Sequence, residues 1–405
     1  MDVRMERAMR WIALGSLTAT VLCAGLIAAD AATAVASRDG LQIASPRAIL
    51  IEAESGAVLF EKGADDLVPP ANLAKLMTVE TVLDQVALGN VKLEDEFVIS
   101  ENAWRKGGAP SGGSTMFAAI HSRVKVIDLL RGAIIHSGND ACIALAEGLG
   151  GNEASFARMM NDRARELGLT RSIFTNSNGL PDPEMKVTVR ELGILARQII
   201  HTYPDEYKIF GEREFTWNKI RQQNRNPLLA LNIGADGLKT GFIKEAGYGL
   251  VGSAVQNGMR LIVVVHGAKN EKERVDEARK LLDWGFRSFE ARVLFAEGQT
   301  VAEAKLYGGQ KSTVTLTGKG PIILMVQRAG GDRLSAKLVY TGPVRAPVEQ
   351  GQQIGKLRVW RNDTLSLEVP LQAAEDVGTG SRTRRAYDAA TELVINMFRG
   401  WIKRL

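Results

Sequence analysis

Three short clusters in the 405-residue chain carry side chains that could act together chemically. The first is Asn72 and Lys75 within Pro70-Ala71-Asn72-Leu73-Ala74-Lys75, three positions apart and therefore stacked on one helix face. The second is Ser137-Gly138-Asn139, set between the apolar residues Leu129-Leu130 and Ile134-Ile135 and a following helical pattern. The third is Lys239-Thr240-Gly241, entering a strand hairpin. Amines and hydroxyls are groups of nucleophilic and proton-transfer sites, and carboxamides serve such sites as hydrogen-bond partners. Read singly, each cluster has a plainer meaning: a solvated lysine, a turn, a chance tripeptide, because short motifs often match by accident. Order and context are what join them.

Other chemistries find little support. The chain has four histidines, His121, His136, His201 and His266, and no G-x-S-x-G elbow accompanies them, which argues against a Ser-His-Asp hydrolase. His136 adjoins Ser137, but neighbouring side chains on a helix diverge, so it is poorly placed as that serine's base. No cluster has metal-ligand spacing, so neither a metal nor a cofactor is expected. The net charge of +5 suits an anionic membrane or wall surface, and no nucleic-acid-binding pattern goes with it.

The elements that must position the three clusters follow from periodicity. Residues 47–59 read as two strands around Glu54-Ser55-Gly56, and Pro69-Pro70 precedes a helix over 72–85. Helical spacing covers 128–147 and 153–167, and the pattern Thr188-x-x-Glu191 predicts a capping box. Strands over 248–255 and 259–265 flank Asn257-Gly258, a strong hairpin signal, and an amphipathic helix spans 271–289. Strands, a block of helices, strands and a helix make an α/β sheet with an inserted helical lobe. From 292 to 371 short alternating runs separated by glycine-rich turns predict a small all-β domain, and 378–381 reads as a linker.

Together the clusters resemble the S-x-x-K, S-x-N and K-T-G set of penicillin-recognising serine enzymes. Further segments are similar to the D-alanyl-D-alanine carboxypeptidase branch, the low-molecular-mass penicillin-binding proteins. They are Gly112-Gly113-Ser114-Thr115-Met116-Phe117, Leu130-Arg131-Gly132, Ser137-Gly138-Asn139-Asp140-Ala141, Asn178-Gly179-Leu180-Pro181, Asn224-Arg225-Asn226 and Asp236-Gly237-Leu238-Lys239-Thr240-Gly241. The resemblance implies a transpeptidase-like domain over 45–290, an antiparallel sheet flanked by helices with a helical lobe. It also implies the all-β domain over 291–378. In that family a serine attacks the carbonyl between two D-alanines, and water hydrolyses the acyl-enzyme. The implied roles are Lys75 as general base, Ser137 as proton relay, and Asn139 as a partner of the substrate amide. Lys239, Thr240 and Gly241 would bind the terminal carboxylate, and the backbone N–H groups of Asn72 and Phe242 would form the oxyanion hole.

The pattern breaks at the nucleophile. The family expectation is Pro-Ala-Ser, and this chain has Pro70-Ala71-Asn72. An asparagine amide is not a competent nucleophile, and Asn at a helix start is comfortable as an N-cap, so the fold is expected to survive while the chemistry is impaired. Phe242 is a second departure, because a polar residue often follows Lys-Thr-Gly in the family. The implied ligands are the D-Ala-D-Ala end of a peptidoglycan pentapeptide and, without covalent capture, β-lactams. The readings that remain are a crippled carboxypeptidase, a non-catalytic wall-binding or scaffolding protein, and a β-lactamase. The all-β domain and the terminal helix argue against the last.

The two ends point to the cell exterior. Arg4, Arg7 and Arg10 precede an apolar run and Ala34-Val35-Ala36, the layout of a signal peptide over 1–36; the alternative is a retained membrane helix. Its removal would leave Cys142 as the sole cysteine, so no intramolecular disulfide is expected. Residues 382–405 repeat apolar side chains at three and four, with Trp401 and flanking cations. That pattern suits a helix lying on an anionic membrane surface, or one packed on the protein itself. The expected location is therefore the periplasmic face of the cytoplasmic membrane.

Overall fold

The computed structural model describes residues 41–330, 333–361 and 364–390. The expected export signal over 1–36 lies outside these residues, as does 391–405 of the expected terminal helix. Strands β1 (Arg47–Glu52) and β2 (Val58–Lys62) form a hairpin, after which a 3-10 turn (Ala71–Ala74) leads directly into α1 (Lys75–Ala87). The helical lobe follows: β3 (Glu96–Val98), α2 (Glu101–Gly107), β4 (Arg123–Lys125), α3 (Val126–Ile135), α4 (Asn139–Gly150), α5 (Glu153–Glu166) and α6 (Val189–Thr202). A small hairpin, β5 (Glu214–Trp217) and β6 (Ile220–Gln223), precedes β7 (Ala235–Ile243), β8 (Gly247–Gln256), β9 (Met259–Ala268) and α7 (Glu271–Ser288).

The central sheet has the order β2-β1-β9-β8-β7, with antiparallel neighbours throughout. Side chains alternate across a strand, so a sheet covered on both faces sorts its apolar residues into two cores. Ile49, Ile51, Leu238, Val251, Ile262 and Val264 pack with the helical lobe. Ala48, Leu50, Leu250, Leu261, Val263 and Val265 pack with Ala278, Leu281 and Leu282 of α7. Each such aliphatic side chain contributes about 2 kcal/mol of transfer free energy on burial. Asn257 and Gly258 both have positive φ, which closes the β8–β9 hairpin with the twist the strands need.

Three expectations are corrected. The helical spacing over 128–147 is broken at 136–138, because Ser137 takes a left-handed conformation (φ 65°) and the Gly138 N–H turns back to the Gly132 carbonyl. The Thr188 box is only half formed: its hydroxyl accepts from Glu191 N–H, but the Glu191 carboxylate bonds Arg171 N–H and the Ser172 hydroxyl instead of returning. Asn72 does not cap a helix either. It lies inside the 3-10 turn, whose N-cap is Pro70, and its side chain is used elsewhere.

Beyond α7 come β10 (Phe289–Phe295), β11 (Ala302–Tyr307), β12 (Thr313–Gly318), β13 (Ile322–Gln327), β14 (Leu334–Tyr340), β15 (Val344–Arg345), β16 (Gln353–Arg361) and β17 (Thr364–Ala373). They form a six-stranded sheet of order β14-β16-β17-β12-β11-β15 and the pair β10–β13, around a core that includes Ala304, Val314, Leu316, Leu324, Val359 and Leu371. Residues 382–390 are helical, and Asp388 accepts a hydrogen bond from Gly308 N–H (2.8 Å). Among the described residues no helix is long and apolar enough to cross a membrane.

Candidate active site

The site forms where the start of α1, the break between α3 and α4, and strand β7 converge. Lys75 is the first residue of α1 and its side chain is buried. Its Nζ donates to Asn72 Oδ1 (2.5 Å), Asn139 Oδ1 (2.7 Å) and the Asn178 carbonyl (2.5 Å). Three acceptors match the three protons of an ammonium. Burial pulls Lys75 down to about 8, with Arg225 pushing the same way and Cys142 and Asp140 opposing. Cys142, pushed up to about 11 chiefly by burial, is an uncharged thiol at neutral pH, so Asp140 is the opposing anion that counts there.

The turn that presents Asn72 is fixed on two sides. Ala71 has φ 49°, and its carbonyl oxygen would sit only 2.0 Å from a Cβ on Gly179, so only glycine fits there. The 178–180 segment is itself held by asparagines: Asn176 Oδ1 accepts Gly179 N–H and Asn178 Oδ1 accepts Leu180 N–H. On the other side a Cβ on Gly241 would lie 3.1 Å from Leu73 Cγ and 3.3 Å from Leu73 N. Strand β7 and the 3-10 turn therefore run in direct contact. His266 on β9 braces the approach, its Nε2 3.1 Å from the Pro69 carbonyl.

Strand β7 brings the cations. Lys239 is buried and held well below the usual lysine range, first by burial and then by repulsion from Lys75 and Arg225. Its Nζ donates a long hydrogen bond, 3.5 Å, to the Thr240 carbonyl. The Thr240 hydroxyl donates to the Arg225 carbonyl (3.4 Å), and Arg225 Nη1 donates to Ser114 Oγ (2.8 Å). Arg274 of α7 is buried beside the Tyr248 ring (5.5 Å), and its Nε has no hydrogen-bond partner. The other face of this aromatic pair is Phe242, half-exposed, with its ring centroid 4.2 Å from that of Tyr248. A cleft with several desolvated cations attracts a carboxylate.

Asn72, Lys75, Asn139, Lys239, Thr240, Gly241 and Phe242 thus share one site. Ser137 is beside it, buried, with an Oγ that has no hydrogen-bond partner. The three bonds of Lys75 go elsewhere, and among the described residues no hydrogen bond joins it to Ser137. His136 turns toward Arg225 (3.4 Å) and the Gln223 carbonyl (3.5 Å). Arg225 and Arg274 received no role from sequence. Arg225 lies in a segment whose signal is the family resemblance, and Arg274 lies within the amphipathic pattern over 271–289.

Comparison with known proteins points to one family. A family model described as D-alanyl-D-alanine carboxypeptidase matches residues 31–270, and one for the C-terminal domain of penicillin-binding protein 5 matches 289–379. The chain is 40% identical to D-alanyl-D-alanine carboxypeptidase DacC of Escherichia coli (strain K12), over 87% of this chain and 89% of that protein. It is 33% identical to DacF of Bacillus subtilis (strain 168), over 89% of this chain and 94% of that one. Among solved structures, penicillin-binding protein 5 of Haemophilus influenzae superposes with a TM-score of 0.76 at 37% identity, covering 84% of this chain and 98% of that one.

The brace at His266 has a measurable consequence. Burial lowers its imidazole from 6.5 to about 4, so the folded protein keeps it neutral where an unfolded chain would protonate it. Stability from this residue is complete above about pH 6.5 and is lost as pH falls toward about 4, amounting to about 3 kcal/mol. Urea unfolding across that range should show the loss in the natural chain and a flatter profile in His266→Asn. Equal slopes would remove the assignment.

Proposed function

The chain belongs to the D-alanyl-D-alanine carboxypeptidase family, and from that premise we propose that its cleft binds the terminal D-Ala-D-Ala of peptidoglycan pentapeptides without cutting it. The observation that carries this reading is the engagement of Lys75 by Asn72, Asn139 and Asn178. In the family mechanism the residue at this position supplies a hydroxyl whose proton the lysine takes. Here it supplies a carboxamide whose oxygen accepts from that lysine, so Lys75 holds a proton and has none to receive.

Recognition does not need the missing hydroxyl. Lys239, Thr240 and Arg225 offer donors and positive charge for a terminal carboxylate, and Asn139 offers an amide to the peptide backbone. The backbone N–H groups of Asn72 and Phe242 would face the scissile carbonyl, and neither depends on the side chain at 72. β-Lactams, which present a carboxylate and a strained carbonyl, would occupy the same cleft without acylating it. Loss of a nucleophile typically costs ~10⁶-fold in kcat, which leaves binding as the residual function.

The natural chain should therefore bind an N-acyl-D-Ala-D-Ala peptide at equilibrium and show no covalent labelling by a fluorescent penicillin. Asn72→Ser should gain labelling. Strong labelling of the natural chain, or no D-Ala-D-Ala binding, would each defeat the proposal.

The location proposed is the outer face of the cytoplasmic membrane, after export. Six Lys or Arg residues (382, 384, 385, 399, 403 and 404) against two acids (388 and 392) suit a helix lying on an anionic bilayer. Ending the chain after Gly380 should release the processed protein from anionic vesicles. Undiminished vesicle binding would place the attachment elsewhere.

A further inference from the structure

Asp140 follows Asn139 at the start of α4, is fully buried, and has no role in the family mechanism described above. Its Oδ1 accepts Met116 N–H (2.8 Å) and Ala141 N–H (3.0 Å); its Oδ2 accepts the Thr115 hydroxyl (2.7 Å) and Ala118 N–H (3.2 Å). All four partners are uncharged. Among the described residues no lysine or arginine forms a salt bridge with it, which is unusual for a buried carboxylate, since such groups are ordinarily paired. Its neighbours are cleared for it: a Cβ on Gly107 would lie 2.3 Å from Asp140 N, and one on Gly138 would lie 2.9 Å from Asp140 Oδ1.

The loop that Asp140 holds leads into the site. Ser114, just before it, accepts Asn139 N–H on its carbonyl (2.7 Å) and the Arg225 guanidinium on its hydroxyl (2.8 Å). Asn139 in turn accepts from Lys75. Among the described residues, the charged and titratable groups facing this region are Lys75 from α1, Cys142 from α4, His136 at the end of α3, Glu153 from α5, Arg225 before the 3-10 turn at 227–230, Lys239 from β7 and Arg274 from α7. All but the thiol and Glu153 are cations or can become so. Asp140 acts on Lys75 and His136 in the opposite sense to Arg225.

We propose that Asp140 is the positioning residue of this cleft, with two effects: it fixes the 114–118 loop against Asn139, and it supplies the buried negative charge that keeps Lys75 an ammonium bonded to Asn72. Four N–H and O–H donors satisfy this carboxylate without a counter-ion, which leaves its field free to act on cations beyond contact distance. This deepens the ligand-binding reading, because the charged Lys75 is what holds the Asn72 amide in place.

The test is a titration of Lys75 Nζ without ligand, so its outcome is independent of whether the cleft binds D-Ala-D-Ala. The chain carries 13Cε-labelled lysine, and the Lys75 resonance is assigned by its loss in Lys75→Arg. In Asp140→Asn the Lys75 midpoint should fall by about one pH unit, as expected for removing an opposite charge. Thr115→Val, which removes a hydrogen bond but no charge, should leave the midpoint in place. Asp140→Ser, which keeps an acceptor and presents no amide hydrogens to Thr115, serves if Asp140→Asn does not fold. An unchanged midpoint in a folded Asp140 variant would overturn the proposal. So would a failure of both variants to fold, which would make the residue a purely structural one.

Discussion

A lysine ammonium taken out of water must find an acceptor for every proton or give one up, and the site is arranged around that requirement. Lys75 keeps its proton with three carbonyl-type oxygens, from Asn72, Asn139 and Asn178, each delivered by a different segment. None of the three is a carboxylate. The bonds stabilise the charged form through dipoles, against a burial cost that draws Lys75 down to about 8. An amide at position 72 fits this arrangement better than a hydroxyl does in one respect: its oxygen is a strong acceptor and needs no proton transfer to serve.

The fold delivers those three oxygens by close backbone approach. Gly179 lets the 178–180 segment touch the Ala71 carbonyl, and Gly241 lets β7 run against the 3-10 turn. The left-handed residues Ala71 and Ser137 sit at the two places where helices begin or break beside the cleft. Backbone strain of this kind persists only where surroundings over-determine it. Here the surroundings are the two-sided central sheet and the loop held by Asp140. The fold is that of the family, and at the centre of the cleft the residue at 72 offers an acceptor to Lys75.

Much of this was legible in the sequence, for physical reasons. The hairpin at Asn257-Gly258 follows from turn residues that tolerate positive φ, the stripe of α7 from side-chain period, and the family from motifs spread over most of the chain. Less was visible where tertiary contacts decide. Asn72 reads as a helix cap by local propensity, but Lys75 competes for its oxygen and wins. Arg274 falls in an amphipathic helix pattern that singles it out for nothing, yet it is buried against Tyr248, because helical spacing cannot say which part of a neighbouring sheet covers a face. Asp140 was quoted within a motif without a role, since nothing local distinguishes a helix-start acid from one that organises a loop 22 to 25 positions earlier. The helical pattern over 128–147 concealed a break because apolar runs of helical spacing, to Ile135 and from Ala141, flank a short polar stretch on both sides.

The central claim, that recognition is retained and cleavage is lost at residue 72, is tested most directly by D-alanine release. The natural chain is incubated, at a concentration where binding saturates, with an N-acyl peptide ending in D-Ala-D-Ala, and free D-alanine is measured over many hours. The account predicts no release above that of the peptide alone. Repeated turnover by the natural chain, abolished in Lys75→Met, would contradict it.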